Sequence, residues 1–473
     1  MTASCTIPRV LFRRQWTSSD EIEAMASRWH DEILRVARER TVAAVLPGTR
    51  DGVALIAALS AVPVPAILLA VDRAAEPDHP ALPPGTVVVI PPSEAHATTW
   101  VERLGGVPCV LPEWPGRGFP GSDGRPLAIL RNPGFILYSS GTTGAPKPVY
   151  RETRALVAGA AARLQALGLA AGDGIVAGVS MAHGHGLTRV LSAMMLGGPF
   201  ALLEPLDHRT ALDTLARPEL AFWSATAHFA DVLGRCALTG PPAMPRVCAL
   251  SSPISRRVFD AFFQRFGVPL RQGYSSSETG QIAINAASDA DVQHDVVGRP
   301  LPGAEVLVGE SPAQPLPAGE IGRVWVRSAW RMAGYGIPPA IEPRRDVDGW
   351  WPTRDLGSLN ARGEITLSGR LDDRIRTREG RIVDLAFVVD RLRSTDGVRD
   401  AVVVSIDGAA GASFGAVLEC DTGVTAQALH AQLSESLPVW ARPRILKVVT
   451  SLPRLANGRA DRSSCRDVLH QGS

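Results

Sequence analysis

The chain has 473 residues, too many for one simple core, and this length predicts two or three domains. Its 45% hydrophobic and 20% charged residues are typical of an ordinary globular protein, and a formal net charge of +2 gives no reason to expect nucleic acid or an anionic membrane as a partner. The six cysteines are scattered without a CxxC pair, which argues against a disulfide framework or a cysteine metal site and favours a reducing cytoplasm.

One uncharged stretch, from Val53 to Val71, is nearly long enough to cross a bilayer. Pro63 and Pro65 lie inside it, however, and each removes a backbone donor that a spanning helix needs. The stretch therefore predicts a short helix near residues 52–61 and a buried strand near residues 66–71, with no membrane span.

Short apolar runs recur through the first three hundred residues, each followed by a turn and an Ala/Leu-rich helical stretch. Strands this continuously apolar are buried on both faces, which predicts an α/β fold of mostly parallel sheets covered by helices, with the active site at the carboxyl ends of the strands. The runs lie at residues 43–48, 66–72, 85–92, 175–181, 200–205, 220–226 and 246–252.

The pattern changes near Val297. Residues 297–368 are rich in β-type residues with Gly and Pro turns, which predicts a small antiparallel or barrel-like subdomain. A dense charge cluster after Gly369 indicates a solvated hinge, and the final hundred residues predict a compact α+β domain. We therefore expect an N-terminal core of residues 1–371 and a C-terminal domain of residues 372–473.

The strongest local motif is ILYSSGTTGAPKPV, residues 136–149. Its glycines let the backbone approach phosphate oxygens, its hydroxyls and amides can donate to them, and Lys147 adds a mobile positive charge. The spacing is not that of the GxxxxGK[ST] loop, so the common P-loop interpretation fails, while a plain flexible turn remains an alternative. Only Lys147 and Lys447 are lysines, and a chain so depleted in lysine still has one in this loop.

Two further motifs follow in order: QGYSSSETG at residues 272–280, and WWPTRDLGSL with SGRLDDRI at residues 350–359 and 368–375. Taken separately, they could be a polar loop and a charged linker. Together with the first motif they closely resemble the adenylate-forming superfamily of acyl-CoA and aryl-CoA ligases, luciferases and peptide-synthetase adenylation domains. GEIGRVWVR (319–327) and MAGY (332–335) also follow in family order.

The resemblance implies a role for each motif. The phosphate loop would hold ATP phosphates together with Lys147, Tyr274 would stack on adenine, Ser277 (where the family usually has threonine) would contact the α-phosphate, and Glu278 would bind Mg²⁺. Asp355 would accept hydrogen bonds from both ribose hydroxyls with help from Arg370, and Asp372 would be the hinge of a mobile C-terminal domain. The loop residues are Ser139, Ser140, Gly141, Thr142, Thr143 and Gly144.

The acyl pocket and the closing motif are less regular. MAHGHGLT (181–188) resembles the segment that guards the acyl pocket, and His183 is its best match, whereas His185 and His228 are weaker candidates. Ser251 and Ser252 stand where a Gly-Gly-Ala segment commonly lines the adenine and acyl pocket. In LPRLANGRADR (452–462), Arg459 occupies the position of the family's catalytic lysine.

The resemblance thus implies an ATP-dependent and Mg²⁺-dependent ligase in the cytoplasm. It would form an acyl-AMP from a small carboxylic acid, a hydroxybenzoate-type aryl acid being one candidate, and pass the acyl group to the thiol of coenzyme A or an acyl carrier protein. Arg459 leaves a second interpretation open, a non-catalytic adenylate-binding homologue that has lost efficient adenylation.

Overall fold

The structure of the chain is a computed structural model. The structure describes residues 5–38, 40–70, 81–114, 127–139, 146–204, 208–236, 243–250, 253–376, 382–406, 413–454 and 460–470. Ser140, Gly141, Thr142, Thr143, Gly144, Ser251, Ser252 and Arg459 lie outside these residues, so their predicted roles stay predictions.

Most helices begin and end at residues that suit a helix terminus. Ser18 and Glu21 form a capping box at the start of α1, and Gly197 ends α5 with φ +63°, a conformation that costs glycine little. The helices are α1 Ser19–Ala37, α2 Arg50–Ala61, α3 Thr98–Arg103, α4 Thr153–Ala166, α5 Gly184–Leu196, α6 His208–Leu215, α7 Ala227–Arg235, α8 Arg256–Phe266, α9 Leu385–Arg393, α10 Ala426–Ser436 and α11 Arg462–His470.

The strands divide between the two halves of the chain. The first half contains β1 Val10–Phe12, β2 Gln15–Thr17, β3 Val42–Leu46, β4 Ala66–Ala70, β5 Val87–Ile90, β6 Val107–Val110, β7 Gly134–Tyr138, β8 Pro148–Glu152, β9 Gly174–Ala177, β10 Phe200–Leu202, β11 Leu220–Ala225 and β12 Val247–Leu250. The second half contains β13 Leu270–Ser276, β14 Gly280–Ile284, β15 Val296–Pro300, β16 Ala304–Ser311, β17 Gln314–Pro315, β18 Gly322–Ser328, β19 Gly334–Ile337, β20 Ala340–Pro343, β21 Trp351–Leu359, β22 Ile365–Arg370, β23 Arg374–Arg376, β24 Ile382–Asp384, β25 Val398–Ser405, β26 Phe414–Cys420 and β27 Ile445–Val449.

Two large sheets contain most of these strands. The larger sheet has the order β17-β16-β18-β21-β22-β15-β14-β13-β12-β11-β9-β10-β1-β2, and the second sheet has the order β20-β19-β8-β7-β4-β3-β5-β6. The strands from β13 to β1 in the first, and from β7 to β6 in the second, are parallel. The strands from β14 to β17, in contrast, are joined by antiparallel pairs and extend the same large sheet.

Alternate residues of the parallel strands pack into different hydrophobic cores, one on each face of the sheet. In β3, for example, Val42 and Ala44 face the helices between the two sheets, while Ala43 and Val45 face α3 on the outer side. In β11, Phe222 belongs to the core between the sheets, and Trp223 packs with α7 and α8 on the opposite face. This double burial explains the uninterrupted apolar runs and confirms the predicted helix-covered parallel sheets.

The C-terminal part is a smaller unit with its own core. Strands β25 and β26 are antiparallel, β26 and β27 are parallel, and α9, α10 and α11 pack on them. The mixed α/β fold with a smaller C-terminal unit is therefore confirmed, whereas the boundary at residue 371 stays a prediction. No helix in the described part of the chain is long and apolar enough to cross a membrane.

Candidate active site

The β7–β8 hairpin presents the predicted phosphate loop. Tyr138 pairs with Pro148 at the end of the two strands, and beyond this pair the Ser139 N–H donates to the Lys147 carbonyl at 2.9 Å. The Lys147 N–H in turn donates to Ser139 Oγ at 3.1 Å. These two bonds close the base of the loop, so the Ser139 hydroxyl accepts a backbone hydrogen bond that holds the loop ends together.

Lys147 and Glu278 meet through Tyr335, a residue to which the sequence interpretation gave no role. The Tyr335 hydroxyl donates to Glu278 Oε1 at 3.0 Å, and Lys147 Nζ lies 5.7 Å from the centroid of the Tyr335 ring. Burial raises the pKa of Tyr335, and the negative charge of Glu278 raises it further. Tyr335 thus stays protonated as a hydrogen-bond donor. The sequence signal for Tyr335 was its place in the MAGY segment, which follows in family order. In the structure this segment leads into β19, which pairs with β8 directly beside the loop.

Arg151 supports the loop that contains Ser277 and Glu278. It is 3% exposed; its Nη1 donates to the Ser277 carbonyl at 2.9 Å and its Nη2 to the Trp330 carbonyl at 2.6 Å. Burial lowers the pKa of Arg151 to about 10, against the opposing effect of the Glu278 charge. The structure therefore adds a positioning residue that the sequence interpretation missed, and an arginine at an inward position of a strand was its signal.

Gly280 explains why this loop ends in glycine. Its φ is +68°, and a Cβ added there would lie 2.6 Å from Arg151 Nη2. Both the backbone conformation and the nearby guanidinium exclude a side chain at this position.

Tyr274, Asp355 and Arg370 come together although they are far apart in sequence. The Tyr274 hydroxyl donates to Asp355 Oδ2 at 2.5 Å, and Arg370 Nη1 donates to Asp355 Oδ1 at 3.0 Å. Asp355 and Arg370 are cross-strand partners in β21 and β22. Burial and the Asp355 charge raise the pKa of Tyr274 well above its ordinary value, so the phenol remains a donor.

Asp372 is held in place by two arginines. Arg354 forms an ion pair with it, and Arg370 Nη2 lies 3.5 Å from Asp372 Oδ2, while the Asp372 side chain is only 6% exposed. Burial acts to lower the pKa of Arg370, but the charges of Asp355 and Asp372 together act more strongly in the other direction. The net shift of the Arg370 pKa is therefore upward. Thus this carboxylate is not freely solvated, unlike the expectation for the charge cluster, and Arg370 links the predicted ribose acceptor to the predicted hinge.

The histidines of the predicted acyl segment have different positions. His183 is the N-cap residue of α5, directly after the loop that leaves β9, and is partly exposed. His185 Nε2 lies 2.7 Å from Ser224 Oγ, and burial, followed by the charge of Arg163, lowers its pKa to about 4. His228 lies on α7, on the opposite face of the larger sheet, near Arg454 and Glu419 of the C-terminal part.

A magnesium ion would have Glu278 as its protein ligand here. The described residues contain no group of three His, Cys, Asp or Glu side chains placed to hold a metal. Mg²⁺ commonly binds one or two carboxylates plus substrate phosphates, so a single carboxylate beside a phosphate loop fits such an ion.

Known proteins resemble this chain over much of its length. A 2-succinylbenzoate–CoA ligase from Enterococcus faecalis is 24% identical over 70% of this chain and 68% of its own length. A 3-hydroxybenzoate–CoA ligase from an Aromatoleum species is 27% identical over 72% of this chain and 66% of its own length. The chain thus covers about two thirds of each relative.

The fold is also that of a known structure. The ATP-bound MatB from Rhodopseudomonas palustris superposes with a TM-score of 0.78 over 100% of this chain and 97% of that chain, at 21% identity. At this identity the likeness shows the fold alone.

The family model described as AMP-binding enzyme matches residues 51–336, more than half of the chain. This range includes the phosphate-loop motif, the tyrosine–glutamate motif and Tyr335. The predicted resemblance to adenylate-forming enzymes is therefore confirmed, and the chain belongs to the AMP-binding enzyme family.

Proposed function

We propose that the chain is an ATP-dependent carboxylic acid–thiol ligase. One acid oxygen attacks the α-phosphorus of ATP and the bond to pyrophosphate breaks, giving an acyl-AMP. A thiol sulfur then attacks the acyl carbon, AMP leaves, and the thiol proton passes to solvent. The observation that carries the proposal is that residues from the three sequence motifs contact one another in two groups. Lys147, Tyr335 and Glu278 form the first group, and Tyr274, Asp355 and Arg370 form the second.

The nucleotide is held by both groups in this proposal. Lys147 and the loop from Ser139 to Gly144 bind the phosphates, and the Ser277 hydroxyl contacts the α-phosphate. Asp355 accepts hydrogen bonds from the ribose hydroxyls, as a carboxylate with several acceptor sites can, and the Tyr274 ring stacks on adenine. Arg370 holds Asp355 in place, because its Nη1 donates to Asp355 Oδ1 at 3.0 Å.

Magnesium would offset the charge on the phosphates when it is bound. Glu278 is its proposed ligand, and Tyr335 orients that carboxylate through one of its two oxygens. A preorganised charge of this kind stabilises the transition state because it needs no rearrangement during the reaction.

The acid is proposed to be a small one, with a hydroxybenzoate-type aryl acid as the first candidate. The relatives with aryl acids in their names support this choice. His183, at the start of α5, is proposed to line the pocket together with Ser251 and Ser252. The acceptor is coenzyme A or the phosphopantetheine of an acyl carrier protein, and the two CoA ligases among the relatives support coenzyme A.

The second half-reaction is proposed to need a rotation of the C-terminal part about Asp372. The ion pair with Arg354 and the contact with Arg370 must then rearrange. Arg462 also pairs with Asp373 at 2.6 Å and connects α11 to this hinge. A short segment with a few ionic contacts can change its backbone angles without disturbing either core.

Arg459 favours a second candidate, an adenylate-binding protein without efficient turnover. It replaces the lysine that the family uses in adenylation, and a planar guanidinium is not equivalent to a compact ammonium group. We favour the ligase because the other nucleotide motifs are intact.

Acid-dependent ATP–pyrophosphate exchange with a panel of aryl and short acyl acids tests the proposal. Exchange with at least one acid is expected, and Lys147→Ala should lower it by on the order of 100-fold, the size of losing one oxyanion-type donor. The matched control is Lys447→Ala, the other lysine, which should keep wild-type exchange.

Two results would contradict the proposal. No exchange with any acid, together with measurable binding of an acyl-AMP, would favour the non-catalytic homologue. Unchanged exchange in Lys147→Ala would remove the phosphate loop from the mechanism. Thioester formation with coenzyme A, compared with a phosphopantetheinylated carrier protein, identifies the acceptor.

A further inference from the structure

Two positively charged side chains, Arg163 and Arg189, are buried between α4, α5 and β11, and the neutral His185 lies beside them. We call these three residues the buried cation cluster. Arg163 is 1% exposed and Arg189 is 3% exposed. Both guanidinium groups lie over the ring of Phe222, at 6.0 Å and 5.3 Å from its centroid.

The cluster is held by neutral groups. Arg189 Nε donates to Ser224 Oγ at 2.8 Å, the same oxygen that His185 Nε2 approaches at 2.7 Å. Arg163 Nη2 donates to Ser192 Oγ at 2.6 Å. Within the described part of the chain, no carboxylate forms an ion pair with either arginine. Buried charges are usually paired, so two arginines in one place without an acid are unusual.

Arg189 also has a free buried donor. Its Nη1 is buried and has no hydrogen-bond partner among the residues that the structure describes. Arg151 and Arg163 also bury a nitrogen without a hydrogen bond in the described residues, but there it is Nε, which carries one N–H group, whereas Nη1 carries two. A buried terminal nitrogen without an acceptor in the protein needs an oxygen from outside the chain, which a bound ligand can supply.

The cluster lies at the active-site edge of the sheet. Ser224 is the penultimate residue of β11 and pairs with Ala177, the last residue of β9. The loop after β9 leads to His183, where α5 begins, and Arg189 follows six residues later, about 9 Å along the helix. Ligands of parallel sheets bind at these carboxyl ends.

We propose that the buried cation cluster binds a second carboxylate on the acid substrate, so that the preferred acid is a compact diacid. This proposal rests on the ligase function and changes its first substrate candidate, from a hydroxybenzoate-type monoacid to an acid with two carboxylates. The reacting carboxylate faces ATP, and the second carboxylate accepts hydrogen bonds from Arg189 Nη1 and its neighbours. A buried arginine discriminates strongly here, because a monoacid leaves its charge and its donor unpaired.

Matched acids test the proposal. Pyrophosphate exchange is measured with benzoate against isophthalate and with butyrate against glutarate, for the wild type and Arg189→Gln. In the wild type, kcat/KM for at least one diacid should exceed that of its monoacid by tenfold or more. Arg189→Gln should lower kcat/KM for the diacid by at least tenfold, chiefly through KM, while the monoacid changes less than threefold.

Further variants separate recognition from folding. Arg189→Lys keeps the charge and should recover part of the diacid preference. Arg271→Gln is the matched control, because Arg271 is also buried but pairs with Asp289 and two backbone carbonyls. It should leave the ratio of diacid to monoacid unchanged even if it lowers the melting temperature.

The outcomes distinguish this proposal from the proposed function. Exchange that favours monoacids, or equal losses for both acids in Arg189→Gln, would overturn the diacid proposal and leave the ligase intact. If no acid supports exchange, equilibrium binding of isophthalate and benzoate decides. Tighter binding of isophthalate that Arg189→Gln removes supports the cluster as a carboxylate site, and equal binding of both acids refutes it.

Discussion

The two halves of the proposed site differ in how their charges are arranged. On the proposed nucleotide side the charges alternate in sign: the exposed Arg354 contacts Asp372, Asp372 contacts Arg370, and Arg370 contacts Asp355, which also accepts from Tyr274. On the proposed acyl side, the buried cation cluster has only positive or neutral groups among the described residues.

The difference indicates which interactions the protein completes by itself. An alternating series compensates each buried charge within the chain, so it can preserve its geometry before ATP binds. A cluster of one sign leaves the compensation to a ligand. Arg163 illustrates the cost of burying an uncompensated charge, because burial lowers its pKa and no carboxylate of the described residues opposes this effect, whereas the Glu278 charge opposes it in the equally buried Arg151.

Interrupting the alternating series of charges at Asp355 should have the largest effect of the variants considered, a rise in KM for ATP. Asp355→Asn removes the charge that faces Arg370 and weakens the acceptor proposed for ribose, whereas an amide still accepts from Tyr274. Since a hydrogen bond to a charged group contributes about 1.5–3 kcal/mol, KM for ATP should rise roughly 10- to 100-fold. Pyrophosphate exchange over a range of ATP concentrations measures this effect.

Glu305→Gln is the matched control for that variant. Glu305 and Arg327 are also cross-strand ion-pair partners in the large sheet, but both side chains are about half exposed. Exposed pairs contribute little, so KM for ATP and the melting temperature should stay near wild type. A similar rise of KM in both variants would mean that Asp355 acts through the sheet rather than through ATP.

A fully compensated charge group in the C-terminal part provides the next test. Arg454 Nη2 donates to Asp400 at 2.8 Å and to Glu419 at 3.1 Å. Arg454→Met leaves Asp400 with Arg393 and Glu419 with Arg399, so the cost is that of the lost hydrogen bonds to charged groups, about 1.5–3 kcal/mol. The free energy of unfolding of this part, measured by urea denaturation at pH 7, should fall by that order.

The pH dependence provides a check on this expectation. Burial raises the pKa of Asp400, but Arg393 and Arg454 outweigh it and the net shift is downward. A lowered folded-state pKa contributes stability above the ordinary carboxyl range, near pH 4, and this contribution is lost as the pH falls through the folded value. The gap between wild type and Arg454→Met should therefore narrow toward pH 3, and a constant gap would exclude this ionic cause.

The sequence predicted the main elements because their signals are local. The apolar runs at β3, β4 and β11 indicate strands through their burial on both faces alone, and the ordered motifs were enough to propose Lys147, Glu278 and Asp355 as site residues. Tyr335 and Arg151 were missed because their roles arise from pairing between β8 and β19 and from a loop more than a hundred residues away. Arg163 and Arg189 were missed for a related reason. An arginine in a helix is usually solvated, and no spacing rule in the sequence predicts that arginines of two different helices pack over the same phenylalanine ring.

The smallest predicted effect is a gain in stability rather than a loss. Arg163→Met removes a buried cation that has no acidic partner in the described residues and fills its volume with apolar atoms, so stability should be unchanged or rise by about 1 kcal/mol. Because burial lowers the folded-state pKa of Arg163 to about 9, the unfolded chain binds the additional proton from about pH 9 up to the much higher ordinary pKa of arginine. Wild-type stability therefore rises with pH in this window, and the advantage of Arg163→Met should shrink there. Melting temperatures at pH 7 and pH 10, for both proteins, measure this difference. A melting temperature of Arg163→Met that falls by as much as that of Arg454→Met would show that the buried cation cluster is compensated within the chain.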